Sequence, residues 1–296
     1  LKVELEGVFP PHITPFTATE RIDEQALRRD VDFWIESGVH GLVTCGSNGE
    51  GVYMTRGERG RVLQLVLDQV NGRVPVIAGT GCPSTRQSLA LTRDAFDLGV
   101  DAALLVTPYY YRLSQEAIYR HYEIIANAVD VPFIVYNVPK FTGVNLEPWV
   151  FERLLQYDTV IGVKDSSANM RQMQELIRIA GDRVSIFAGS GNMIYPTLAS
   201  GGHGAIVAIA NVVPELTAKL YRCFKAGNHR EARDVQSAIV VLNDFVTQRH
   251  GIPAVKAALN LRGEGGGYPR KPLTPLNPEA TNQLRALIRP LARISR

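Results

Sequence analysis

Cysteine is scarce in this chain: Cys45, Cys82 and Cys223 are the only three. They lie far apart, in an odd number and without C-x-x-C spacing. That argues against a disulfide framework and against a zinc site. The six histidines form no H-E-x-x-H or comparable pair, so no metal centre is indicated. No apolar stretch approaches the roughly 20 residues needed to span a bilayer. Residues 1–6 show no charged segment leading into an apolar run, as a secretory leader would. Basic blocks are missing too. The 32 Lys and Arg against 29 Asp and Glu leave a charge of +3 without clustering, so no nucleic acid partner is expected. These absences point to a cytoplasmic, enzyme-sized protein with no membrane partner. One further scarcity acts as a filter. Only 7 of the 32 basic residues are lysine, so a lysine inside an apolar segment stands out.

What is present is the composition of a globular protein, 45% hydrophobic and 21% charged over 296 residues. Eight short apolar runs recur, at 7–14, 39–46, 74–81, 100–108, 131–138, 160–166, 184–190 and 204–211. Most are continuously apolar rather than alternating, as parallel strands covered on both faces should be. Helical patterns fill the gaps. Residues 23–37 carry apolar positions at helical spacing. Thr55-x-x-Glu58 and Ser84-x-x-Gln87 fit the capping box, and Pro214 suits a first helical position. Eight strand–helix units predict a (β/α)8 TIM barrel, with a doubly wound sheet as the alternative. The length would otherwise suggest two domains, but such barrels use 250 or more residues as one. The barrel is expected over 1–227. Residues 228–296 are expected as a C-terminal helical extension, with helices at 229–248, 252–261 and 278–294. The Gly- and Pro-rich stretch 263–278 reads as an ordered loop.

Lys164 is the only lysine inside any predicted strand, and it stands at the C-terminal end of the sixth. Catalytic groups of barrels sit at that end. Poor solvation disfavours the charged amine, and a neutral amine attacks a ketone to form a Schiff base. The plainer alternative is an ion pair with Asp165 or a side chain that snorkels to water. Tyr136 ends the fifth strand, one strand away; it suits either proton relay or ordinary packing. The turn Gly46-Ser47-Asn48-Gly49-Glu50-Gly51 follows strand two. It is either an anion cradle or a plain glycine-rich turn. It lacks the lysine of a P-loop, and Cys45 replaces the first glycine of a nucleophile elbow. Tyr109-Tyr110-Tyr111 reads as a ligand wall, a subunit contact or chance clustering. Gly189-Ser190-Gly191 follows strand seven, where barrels often hold anions, but glycine is needed in such turns anyway.

Taken together these residues resemble the dihydrodipicolinate synthase / N-acetylneuraminate lyase family of Schiff-base pyruvate aldolases. The likeness runs from about residue 7 to 276. It includes Pro15-Phe16, the Gly-Ser-Asn-Gly-Glu turn and Thr107-Pro108-Tyr109-Tyr110. It continues through Tyr136-Asn137-Val138-Pro139 and Gly162-Val163-Lys164-Asp165 to the closing 269–275 stretch. The resemblance implies a role for each match. Lys164 forms the imine with pyruvate or another 2-oxo acid, and Tyr136 is the proton donor and acceptor. Ser47 stands in a proton relay that Tyr110 completes from a neighbouring subunit. Asn48 holds the substrate carboxylate, Ile206 sits against the pyruvyl group, and Gly189 and Phe141 join the substrate-binding positions. A homotetramer, built as a dimer of dimers, is implied, with no metal and no external cofactor.

One position departs from the synthase pattern. Where those enzymes carry Arg for the carboxylate of aspartate semialdehyde, this chain has Phe141, beside Lys140. Phenylalanine cannot pair with a carboxylate, and lysine is a poorer substitute for a bidentate arginine. Ser47-Asn48, Lys164-Asp165-Ser166 and Ala188-Gly189-Ser190 look more like the 4-hydroxy-2-oxoglutarate aldolase branch. The expected reaction is therefore cleavage of 4-hydroxy-2-oxoglutarate, or of a 2-keto-3-deoxy sugar acid, to pyruvate and an aldehyde. The alternatives are dihydrodipicolinate synthase itself and a non-catalytic barrel that binds 2-oxo acids.

Overall fold

The computed structural model describes residues 5–290. The start of the 1–6 segment and the last residues of the predicted 278–294 helix lie outside the described residues. Eight parallel strands form: β1 (Gly7–Phe9), β2 (Leu42–Thr44), β3 (Val76–Gly79), β4 (Ala102–Val106), β5 (Phe133–Asn137), β6 (Val160–Asp165), β7 (Ser185–Ala188) and β8 (Gly204–Ile206). Each lies inside one of the predicted apolar runs. Around them run α1 (Glu24–Glu36), α2 (Arg56–Val70), α3 (Thr85–Asp97), α4 (Gln115–Ala128), α5 (Pro139–Thr142), α6 (Pro148–Leu154), α7 (Met170–Ala180), α8 (Ile194–Ala199), α9 (Ile209–Val212) and α10 (Pro214–Lys225).

The hydrogen-bonded order is β1-β8-β7-β6-β5-β4-β3-β2, so neighbours in sequence are neighbours in the sheet. A doubly wound sheet would reverse direction at a switch point, and this one does not. The ring closes just after β1, which is shorter than its apolar run. Pro10 and Pro11 lack N–H donors, so regular pairing stops there. The backbone still reaches β2: Val43 N donates to Pro10 O at 3.0 Å, and His12 N donates to Val43 O at 3.0 Å. The architecture is a (β/α)8 barrel with a C-terminal helical part.

Inside the barrel, Phe9, Val43, Ile77, Leu104, Ile134, Phe187 and Ile206 form one apolar cluster, which Tyr136 joins. The helices start where their caps predict. Asp23 and Thr55 accept from the third residue of their helices, and Thr55–Glu58 is a complete capping box. Ser84 caps α3 through Gln87 N, but Gln87 bonds the Ser84 hydroxyl rather than its backbone, so the reciprocal half of that box does not form.

After α10 come α11 (His229–Asn243), a π-helical segment Asp244–Arg249, α12 (Ile252–Arg262) and α13 (Pro278–Ile288). The single helix predicted over 229–248 thus changes its winding in its last turn. These helices bury Val235, Phe245, Val255, Leu259 and Leu284 in the same cluster as Leu27, Val31 and Val62 of α1 and α2. They fold back over the C-terminal rim of the barrel, which brings them to the cavity described next.

Candidate active site

Strands β5 and β6 pair in a register that sets Tyr136 beside Lys164 and Asn137 beside Asp165. Side chains alternate across a strand, so the first pair faces the barrel interior and the second faces the helices. Lys164 Nζ lies 4.0 Å from the Tyr136 ring centroid. Asp165 is turned away from the amine. It accepts from Asn137 Nδ2 at 2.7 Å, Ser167 Oγ at 2.6 Å and Ser167 N at 3.2 Å. Among the described residues no carboxylate pairs with Lys164, so the ion-pair alternative is not what forms. The snorkelling alternative fails as well, since Lys164 is only 3% exposed. Burial lowers its amine from the usual 10.5 to about 7.

Tyr136 is buried at the same level. Burial pushes its phenol up, opposed by the Ser47 and Ser166 hydroxyls that face it. Ser166 Oγ is buried and, apart from the phenol it faces, has no hydrogen-bond partner among the described residues. A buried hydroxyl beside a phenol and an amine is a group in position to take part in proton transfer.

Ser47 and Asn48 reach the cavity because the turn after β2 is tightly folded. Cys45 and Glu50 both take left-handed backbone conformations, with φ of +59° and +56°. Such residues persist only where the surroundings hold them. Here Glu50 is fixed from behind by a fully buried ion pair with Lys256 Nζ at 2.5 Å. Glu50 Oε2 also accepts from Arg270 N at 2.8 Å. Lys256 further donates to Thr14 O and Tyr268 O, each at 2.7 Å. Burial pulls the Lys256 amine down to about 8, opposed by the Glu50 carboxylate.

These groups border a cavity of about 260 Å³ at the C-terminal mouth of the barrel. Lys164, Tyr136 and Ile206 line its depth, Ser47 and Asn48 one wall, and Gly189 and Ser166 another. Lys140 and Phe141 of α5 stand with the π-helical residues Val246, Thr247 and Gln248 around it. Among the described residues, no arginine and no acidic side chain lines it. Gly189 is required for close packing, since a Cβ there would lie 1.9 Å from Ser166 Oγ. Seven of the eight candidate residues therefore meet in one place. Tyr110 does not: it is 84% exposed, with φ of +84°, and lies outside the cavity of its own chain.

Three contributions are not legible from the strand pattern. Ser166 appears in the sequence only as part of the Lys164-Asp165-Ser166 motif, and residues 244–249 carry the pattern of ordinary helix. Lys256 lies outside the strands, although the apolar 252–261 run around it carries the same signal that marks Lys164. Among the described residues, no group of three His, Cys, Asp or Glu side chains is placed to hold a metal ion, and no helix is long and apolar enough to cross a membrane.

The sequence profile of the dihydrodipicolinate synthetase family matches residues 4–291. A 4-hydroxy-tetrahydrodipicolinate synthase from Citrifermentans bemidjiense is 40% identical over 285 residues, covering 96% of this chain and 98% of that protein. A dihydrodipicolinate synthase crystal structure superposes with a TM-score of 0.93 at 34% identity, covering 97% of this chain and 99% of the other. The chloride-inhibited dihydrodipicolinate synthase from Acinetobacter baumannii, solved with pyruvate bound, gives a TM-score of 0.91 at 32% identity, covering 96% and 98%.

Proposed function

Because this chain belongs to the dihydrodipicolinate synthetase family, whose members are Schiff-base, pyruvate-dependent aldolases, we propose that Lys164 forms its imine with the C2 carbonyl of pyruvate. The observation that carries this is the buried, unpaired amine with Nζ 4.0 Å from the Tyr136 ring at the bottom of the cavity. A neutral amine attacks C2, and loss of water gives the imine. Once protonated, the imine draws electrons from C3. That makes C3 an enamine carbon able to join an aldehyde, or lets a C3–C4 bond break in reverse. Tyr136 passes the protons, with Ser47 beside it and Tyr110 of a neighbouring subunit completing the relay. Ser47 and Asn48 hold the 2-oxo acid carboxylate, and Ile206 packs on the pyruvyl carbon.

For the second substrate, the relatives' name, 4-hydroxy-tetrahydrodipicolinate synthase, supports the synthase reading, condensation of pyruvate with aspartate semialdehyde. A second reading is favoured by a specific observation in the cavity. Phe141, which the resemblance sets where the synthases carry their carboxylate-binding arginine, lines the cavity, and among the described residues no guanidinium does. This supports cleavage of 4-hydroxy-2-oxoglutarate or a 2-keto-3-deoxy sugar acid to pyruvate.

Borohydride with pyruvate tests the imine. One reduced pyruvyl group is expected on Lys164; no adduct, or an adduct on another lysine, would overturn it. Condensation with aspartate semialdehyde, assayed beside pyruvate release from the two cleavage substrates, decides the second question. Phe141→Arg should shift preference toward aspartate semialdehyde if the missing guanidinium is the cause.

A further inference from the structure

We propose that Lys140 is a specificity-determining residue. It receives a carboxylate at the far end of the substrate, so the chain prefers partners carrying a second carboxylate over those ending in neutral hydroxyls. This rests on the imine reading of the same cavity.

Among the described residues, only two cationic side chains line the cavity, and no acidic one does. Lys164 lies deep and is reserved for the carbonyl. Lys140 stands exposed on α5. Its Nζ reaches across to the π-helical segment, donating to Thr247 O at a long 3.4 Å, and lies 6.0 Å from the Phe141 ring centroid. An ammonium carries three donors, so one weak tether leaves two for a ligand. Gln248 lines the same cavity and its side chain makes no hydrogen bond among the described residues, so its amide adds a neutral donor. Phe141, 63% exposed, offers only a ring.

The geometry divides the substrate. One carboxylate goes to the Ser47 and Asn48 wall, with the carbonyl at Lys164. The other end then extends toward the opening, where Lys140 is the charge that meets it. A carboxylate there makes a charge-assisted hydrogen bond, whereas a hydroxyl chain gains only a neutral one. An ammonium is a compact charge on a flexible stem, so it accepts carboxylates at several distances where a guanidinium fork would demand one. Both aspartate semialdehyde and 4-hydroxy-2-oxoglutarate present that carboxylate, and 2-keto-3-deoxygluconate does not.

The test compares the parent protein with Lys140→Gln and Lys140→Arg, on 4-hydroxy-2-oxoglutarate, on 2-keto-3-deoxygluconate, and on aspartate semialdehyde with pyruvate. For substrates with a distal carboxylate, Lys140→Gln should raise KM about tenfold, the value of one lost hydrogen bond to a charge. The sugar acid should show no comparable rise. Lys140→Arg should restore the carboxylate preference, and added salt should weaken it in the parent. An equal effect on all substrates, no effect on any, or no turnover of either carboxylate-ended substrate by the parent overturns the assignment. Borohydride trapping of pyruvate is run on the same samples. An adduct at Lys164 without a carboxylate-selective loss defeats only the Lys140 role, whereas no adduct in the parent defeats the imine reading beneath it.

Discussion

A lysine that is 3% exposed and lacks a carboxylate partner holds its proton poorly, because nothing in its surroundings replaces the water it has lost. That cost is also its chemical use. With the amine lowered to about 7, a substantial share of the molecules carries a free nucleophile at neutral pH, where a solvated lysine would carry almost none. The sign of the pH effect follows. Below about 7 the amine is protonated and cannot attack; above it the amine is free. The initial rate of borohydride trapping should rise about tenfold per pH unit below 7 and level off above it. An inflection near the ordinary lysine value of 10.5 would show that burial does not tune this group. Lys164 was legible in the sequence because it is the one lysine in a strand. Ser166 was not, because a serine just past a strand is ordinary in a loop, and only the folded site packs its hydroxyl against Gly189 and sets it facing Tyr136.

At the scale of elements, the turn after β2 and helix α12 form one mechanical unit. The turn contributes Ser47 and Asn48, and its backbone is held in left-handed conformations at Cys45 and Glu50. Helix α12 holds it from behind through Lys256. Lys256→Met removes one partner and leaves the Glu50 carboxylate buried and unpaired, which typically costs about 3–5 kcal/mol. The denaturation midpoint should fall accordingly, and kcat should fall with it as Ser47 and Asn48 lose their support. Glu50→Gln combined with Lys256→Met removes both charges, so it should regain much of the stability. If the single change leaves the midpoint where it was, the pair does not anchor the turn. The motif around Glu50 was legible, but the identity of its partner was not. Lys256 contacts Thr14 across 242 residues of chain, and no local pattern encodes a contact of that span.

Over the whole molecule, the exposed end of the loop after β4 is the side of the site that faces outward. Tyr110 and Tyr111 are 84% and 72% exposed, with ring centroids 5.0 Å apart, and Tyr110 holds an unfavourable φ. Aromatic side chains presented this way suit a subunit interface. Light scattering should give the mass of four chains, as the resemblance implies. Tyr110→Phe should lower kcat while that mass stays the same, because only a proton-relaying hydroxyl is removed. A fully active monomer would remove any role for Tyr110 in a neighbouring site.

Local chemistry alone determined the eight strands, most helix starts, the barrel class, and the placing of Lys164 and Tyr136 at strand ends. All of these depend on residues close in sequence: apolar runs, caps, and the alternation of side chains along a strand. The tertiary structure decided the rest. It closed the ring across Pro10 and Pro11, set Glu50 on Lys256, and brought the π-helical segment and Lys140 together beside the cavity. These are contacts between segments distant in the chain, whose energies depend on burial and mutual geometry that exist only once the barrel has formed.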